Sequence, residues 1–169
     1  LAIPLILVMA MGQMMVIICR HVDISIGSTL AFAAIVIGLV FIHYPGISLW
    51  LALIITSLVG LILGLINGFI VTRFNVHSII VTLGTLSLYR GLVFIVSGGR
   101  QIDRNDIPEH IVLFSQTSFL FSIPAILIFS AVIVIITHIL MRHSVLGREI
   151  YATGSNPVAA HLKGINVTK

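Results

Sequence analysis

Asp23 is the only acidic residue near the interior of an apolar run, and Arg90 stands six residues before Val96, the end of another. Ionisable groups in such surroundings are expensive and by default mark a pathway or a partner. Asp23 lies in Arg20-His21-Val22-Asp23-Ile24-Ser25-Ile26-Gly27-Ser28, where it can pair with Arg20 or cap the next helix, as Asp and Ser do at helix starts. A broken helix here would instead bring backbone groups to a translocation path. Arg90 ends a run that carries Thr82, Gly84, Thr85, Ser87 and Tyr89 inside an apolar stretch. The hydroxyls can bond back to their own helix. The Arg90 charge can snorkel about 9 Å to the outer interface at 1.5 Å per residue, or stand at the outer mouth of a pathway.

These groups suit binding and positioning rather than covalent chemistry. No GxxxxGK[ST] is present to cradle nucleotide phosphates, and no GxSxG offers a nucleophile. Seven histidines lie scattered without HExxH or metal spacing, and Cys19 is the single cysteine, so metal ligation and disulfides have no support. An enzyme built on Arg148, Tyr151 and Asn156 would need a nucleophile or base nearby, and only Glu149 and His161 are at hand. An ion-coupled transporter would place carboxylates at mid-membrane, where no second acid joins Asp23.

The elements that must position these groups are membrane helices. The chain is 59% hydrophobic and 8% charged, with a mean hydropathy of +1.21 that calls for a bilayer as solvent. About five runs approach the roughly 20 residues needed to cross it: 1–19, 26–42, 49–72, 76–96 and 121–141. The fold expected is therefore an all-α, polytopic helical bundle, with an external loop at 97–120 and a cytoplasmic loop at 142–169. With the last loop inside, alternation leaves Arg20, Arg73, Arg142, Arg148, Lys163 and Lys169 inside, and only Arg100 and Arg104 outside. The net charge of +4 thus reports topology and not affinity for nucleic acid. A re-entrant segment at 20–28 or 79–91 would alter that count.

Two further patterns concern packing and docking. Gly60, Gly64 and Gly68 recur every four residues and form a smooth face for close helix approach, either within the chain or between subunits. Asn67 beside them needs a hydrogen-bonding neighbour in protein. In the long polar segment Arg142 to Lys169, Asn156 suits an N-cap, Pro157 a first helical position and Gly164 a left-handed stop. The short helix between them would present Val158, Ala159 and Leu162 as an apolar ridge fit for a groove on another protein.

The same segment carries a family resemblance. Val158-Ala159-Ala160, three residues and Gly164 has the xAAxxxG spacing of the cytoplasmic EAA loop of ABC-transporter permeases. Gly147-Arg148-x-x-Tyr151-Ala152-x-Gly154-x-Asn156 before it, Asp23 to Ser28, and IVTLGTLSLYRG all resemble segments of ribose-type and autoinducer-2-type sugar permeases. Val158 stands where the pattern has its acidic residue, and Arg20 and His21 stand where it has paired glycines. The resemblance implies a multi-pass subunit of the bacterial inner membrane that translocates a monosaccharide or related small polar solute. It implies no cofactor on this chain, with ATP held by a separate cytoplasmic ABC ATPase, and as further partners a periplasmic or extracellular substrate-binding protein, a second permease copy and membrane lipid. Gly147, Arg148, Asn156, Ala159, Ala160 and Gly164 would meet the ATPase, while Asp23, Ser25, Asn67, Thr82, Thr85, Tyr89 and Arg90 would lie near the path. Permeases of this type are about twice as long, so a C-terminal half is expected beyond Lys169.

Overall fold

A computed structural model describes residues 2–119 and 123–167. The chain is an all-α membrane protein with helices α1 (Ala2–Ile18), α2 (Ile26–His43), α3 (Leu49–Phe74), α4 (Ser78–Ser97), α5 (Glu109–Gln116), α6 (Ala125–His143), α7 (Val145–Ser155) and α8 (Pro157–Leu162). A two-residue antiparallel pairing joins Ser118–Phe119 to Ile123–Pro124 just before α6. Four helices, α2, α3, α4 and α6, are long and apolar enough to cross a membrane, and α1 is a shorter apolar helix of 17 residues. The last span begins at Ala125 rather than at Phe121, which lies outside the described residues. Pro124 at its N-cap has no N–H to donate, and Ala125 N donates instead to Thr117 O at 2.9 Å.

The chain forms two compact units, residues 24–115 and residues 1–23 with 116–169. In the first, α2 packs on α3 and α4, and a small apolar cluster of Phe41, Ile47 and Ala52 is covered by Ile107 and Ile111. The segment after α4 is therefore folded rather than simply solvated. His110 Nε2 lies 2.9 Å from Ile47 O, the Asp103 N–H donates to Asp106 Oδ2 at 3.0 Å, and Arg100 pairs with Asp106 at 2.7 Å. As an exposed pair, Arg100–Asp106 is worth at most about 1 kcal/mol. The apolar contacts hold the loop down. Ile102 lies over Gly38 so closely that an added Cβ would come within 2.7 Å of its side chain.

An interruption of α4 is not observed: it runs unbroken from Ser78 to Ser97. The reason is local hydrogen bonding, because Thr82 Oγ1 donates to Ser78 O at 2.9 Å and Ser87 and Ser97 likewise turn toward carbonyls one turn back. The break at 19–25 is real.

In the second unit, α1 packs on α6 and α7, and α7 packs on α6 and α8. Helix α1 stops in a Schellman turn, with the His21 N–H donating to Val16 O at 3.1 Å and the Arg20 N–H to Ile17 O at 2.9 Å. That turn needs a left-handed residue, and Arg20 takes φ 63°. An L-residue with a side chain accepts such a backbone at a cost of about 1 kcal/mol.

The loop contact yields a prediction. Gly38→Val should lift Ile102 from α2 and expose the segment around Arg104, so that limited trypsin digestion of detergent-purified protein cuts there several-fold faster than in wild type; unchanged cleavage would show that Ile102 does not pin the loop.

Candidate functional site

Five of the residues expected near a path meet in one buried polar cluster between α2, α3 and α4. Ser25 is 0% exposed and Tyr89 1%, and Asn67, Thr82 and Thr85 are buried beside them. Asn67 Nδ2 donates to Ser25 Oγ at 2.8 Å. Tyr89 places its hydroxyl 3.0 Å from Leu63 O and 3.3 Å from Asn67 Oδ1, so one amide side chain joins two neighbouring helices. The Ile24 N–H in the connector before α2 donates to Thr82 Oγ1 at 3.2 Å, and Ser28 Oγ donates to Ser25 O at 2.8 Å. Each helix supplies its polar group on the face turned to the others, as lipid demands. Ser28 and Ser78 are also buried here, although only the repetition of small hydroxyls around them in sequence could have signalled it.

Asp23 is half-buried and Arg90 exposed, and the Arg90 guanidinium makes no ion pair among the described residues. Among the described residues nothing packs on Gly60, Gly64 or Gly68, since a Cβ at any of them would meet no atom within 4 Å. The stripe looks outward because α2 and α4 approach α3 through Asn67 and Leu63 instead.

The second group lies on α7 and α8. Ser144 closes α6 and opens α7, its Oγ accepting from Gly147 N at 3.0 Å; a Cβ at Gly147 would overlap the Met141 carbonyl, which is why the corner is tight. Asn156 does the same between α7 and α8: its N–H donates to Ala152 O at 3.0 Å and its Oδ1 accepts from Ala159 N at 3.1 Å. Gly164 ends the segment at φ +80°. Ala160 is 4% exposed and seats α8, whereas Val158 and Leu162 are 71% and 82% exposed. Ala159 is exposed with them. Arg148 lines a cavity of about 410 Å³ with His138, Met141, Arg142 and Tyr151. Sequence reasoning did not bring Arg20 to this corner, where its Nε donates to Gly154 O and its Nη2 donates to Ser155 O, both at 2.6 Å. Its charge near an apolar run was the available signal.

Among the described residues no cluster of His, Cys, Asp and Glu could hold a metal ion. The polar cluster offers hydroxyl and amide donors and acceptors without charge, and α8 offers an apolar ridge.

Tyr89→Phe keeps the ring and removes the hydroxyl that serves Leu63 O and Asn67, a loss of about 1–3 kcal/mol where a buried partner is stranded. A clearly lower thermal midpoint of the purified full-length protein is expected, with a larger fall for Asn67→Leu, which removes the bonds to Tyr89 and Ser25 together. Midpoints equal to wild type would mean the cluster does not hold the helices.

The whole chain, residues 1–169, matches the family described as branched-chain amino acid transport system / permease component. It is 34% identical over 161 residues to the Autoinducer 2 import system permease protein LsrC of Salmonella typhimurium, covering 95% of this chain and 45% of that protein. The protein of the same name from Yersinia enterocolitica is 34% identical, with 95% and 43% covered, and that from Yersinia pseudotuberculosis serotype O:1b is 32% identical, with 95% and 44% covered. The chain thus spans less than half the length of these relatives. No solved structure matches it. Permease relatives and four membrane-length helices make it a multi-pass inner-membrane protein. With the match running over every residue, the chain belongs to the family of transport-system permease components.

Proposed function

We propose that this chain is part of the permease subunit of an ATP-binding-cassette importer, that α8 is the element on which a separate ATPase acts, and that the cargo is a monosaccharide or related small polar solute. The observation that carries the reading is α8 itself. A helix of six residues, capped by Asn156 and seated through Ala160, leaves Val158 and Leu162 almost wholly in the open. Apolar side chains held out on a rigid corner fit a groove on a partner, in the manner of helix-in-groove recognition. ATP-driven movement of that corner would tilt the spans and open the path alternately to each side.

The cargo class draws on chemistry and kinship together. Ser25, Asn67, Thr82, Thr85 and Tyr89 are uncharged hydroxyl and amide groups that join the helices to one another, so the helices around a path carry no buried charge here, which suits a neutral solute. A zwitterionic amino acid, which the family description names, would call for charged partners that this cluster lacks. The relatives at 34% identity are named for import of autoinducer 2, which is consistent with a small polar cargo. A substrate-binding protein would approach from the side of the 98–116 segment, whose mixed charge suits a transient, salt-sensitive encounter. A second permease copy would complete the pore, and Gly60, Gly64 and Gly68 offer it a smooth outward face.

Leu162→Asp and Val158→Asp alter exposed side chains and leave the helix cap in place. In the full-length protein either should cut recovery of the co-purified ATPase about tenfold or more, the effect of roughly 1.4 kcal/mol lost from an interface, while membrane insertion stays at the wild-type level. Equal recovery from both variants, or no ATPase with the wild type, would overturn the reading.

A further inference from the structure

Two helices of the same unit end against one another. The Ile18 carbonyl at the end of α1 meets α7 at Gly154, where a Cβ would overlap the carbonyl oxygen, so only glycine allows the approach. Helix C-termini carry partial negative charge on their last carbonyls, and two brought together repel unless a cation stands between them. Arg20 is that cation. Its guanidinium donates from Nε to Gly154 O and from Nη2 to Ser155 O, while its own backbone forms the turn that ends α1.

The backbone alone does not account for an arginine here. A left-handed position in a Schellman turn is met most cheaply by glycine, and Arg20 occupies it at φ 63°. The side chain accounts for it, because the fork of a guanidinium can serve two adjacent carbonyls at once, and an ammonium is a point charge without that geometry. The two carbonyls it holds belong to the residues immediately before Asn156, which closes α7 and opens α8 with no spare residue between them. A grip on Gly154 and Ser155 is therefore a grip on the base of α8.

We infer that Arg20 is a positioning residue for coupling: it clamps the α7–α8 corner to the end of α1, so that displacement of α8 is passed to the apolar helix α1 instead of being absorbed at the corner. The inference rests on the reading of α8 as the ATPase-docking element. Along the chain Arg20 opens the connector that leads to Ser25, so the helix end it fixes is also the start of the segment entering α2. Without the clamp, α8 would still present Val158 and Leu162 and still bind its partner, but the stroke would be lost in flexing of the corner.

The test uses the full-length protein with its ATPase in proteoliposomes, comparing wild type, Arg20→Gly and Arg20→Lys. Glycine keeps or eases the left-handed turn and removes only the clamp. Arg20→Gly is expected to recover ATPase as wild type does and to hydrolyse ATP, yet to move about fivefold or more less solute per ATP, within the range of ordinary coupling losses, with Arg20→Lys in between. In parallel, amide exchange of residues 157–163 in the purified full-length protein should quicken about tenfold in Arg20→Gly, as expected for loss of a charge-assisted pair, with α3 unaffected. Unchanged exchange would overturn the clamp whatever the ATPase does. Faster exchange with wild-type solute per ATP would overturn its role in coupling. A wild type that binds no ATPase would sink the docking reading instead, and the exchange measurement, which needs no partner, keeps the two failures apart.

Discussion

Inside a bilayer each backbone and side-chain polar group must find its partner within protein, since hydrocarbon offers none, and nearly every feature of this chain follows from that constraint. Thr82 turns its hydroxyl to Ser78 O and leaves α4 whole. Asn67, which no lipid-facing helix could carry unpaired, reaches Ser25 on one side and Tyr89 on the other, and in doing so decides which faces of α2, α3 and α4 meet. The hydrophobic effect contributes little to association of helices whose surroundings are as apolar as their side chains. Polar satisfaction and close fit take its place, and the many exposed Leu, Ile and Phe residues on α3 and α6 need no covering within the chain.

At the ends of the helices the same constraint acts on carbonyls and N–H groups. Ser144 and Asn156 each close one helix and open the next, which makes α6, α7 and α8 a chain of stiff segments with defined corners. The end of α1 is satisfied by its own Schellman turn, and the end of α7 by the guanidinium of Arg20. Stiff corners matter to a coupling element, because a flexible one would dissipate any push delivered at Val158 and Leu162.

Much of this was legible in the residues. Runs of membrane length announce the spans by hydropathy alone, and Asn-Pro at 156–157 with Gly164 announces α8, because caps are local chemistry read at fixed offsets. What lay beyond reach was long-range. Nothing local says that Ile107 and Ile111 fold back on Phe41 and Ile47, so the residues mark an external loop at 97–120 but not that part of it is a folded cover. The glycine stripe of α3 was legible as a smooth face but not as one that no described residue packs against. Arg20 places its guanidinium more than a hundred positions along the chain on Gly154 and Ser155, a pairing that only the meeting of two helix ends could reveal. Tyr89 sat in a run of hydroxyl residues, yet its fully buried ring and its bond to Leu63 O depend on the face of α3 it happens to meet.

The central claim is that α8 is the surface through which a separate ATPase drives this permease. Its most direct test is a photo-crosslinking side chain placed at Leu162 of the full-length protein in native membranes, with the same group at Trp50, an exposed position at the opposite end of the predicted topology, as control. The account predicts an adduct with the ATPase subunit from position 162 and none from position 50. An α8 probe that forms no adduct with an ATPase, or a control that captures it equally well, would contradict the account.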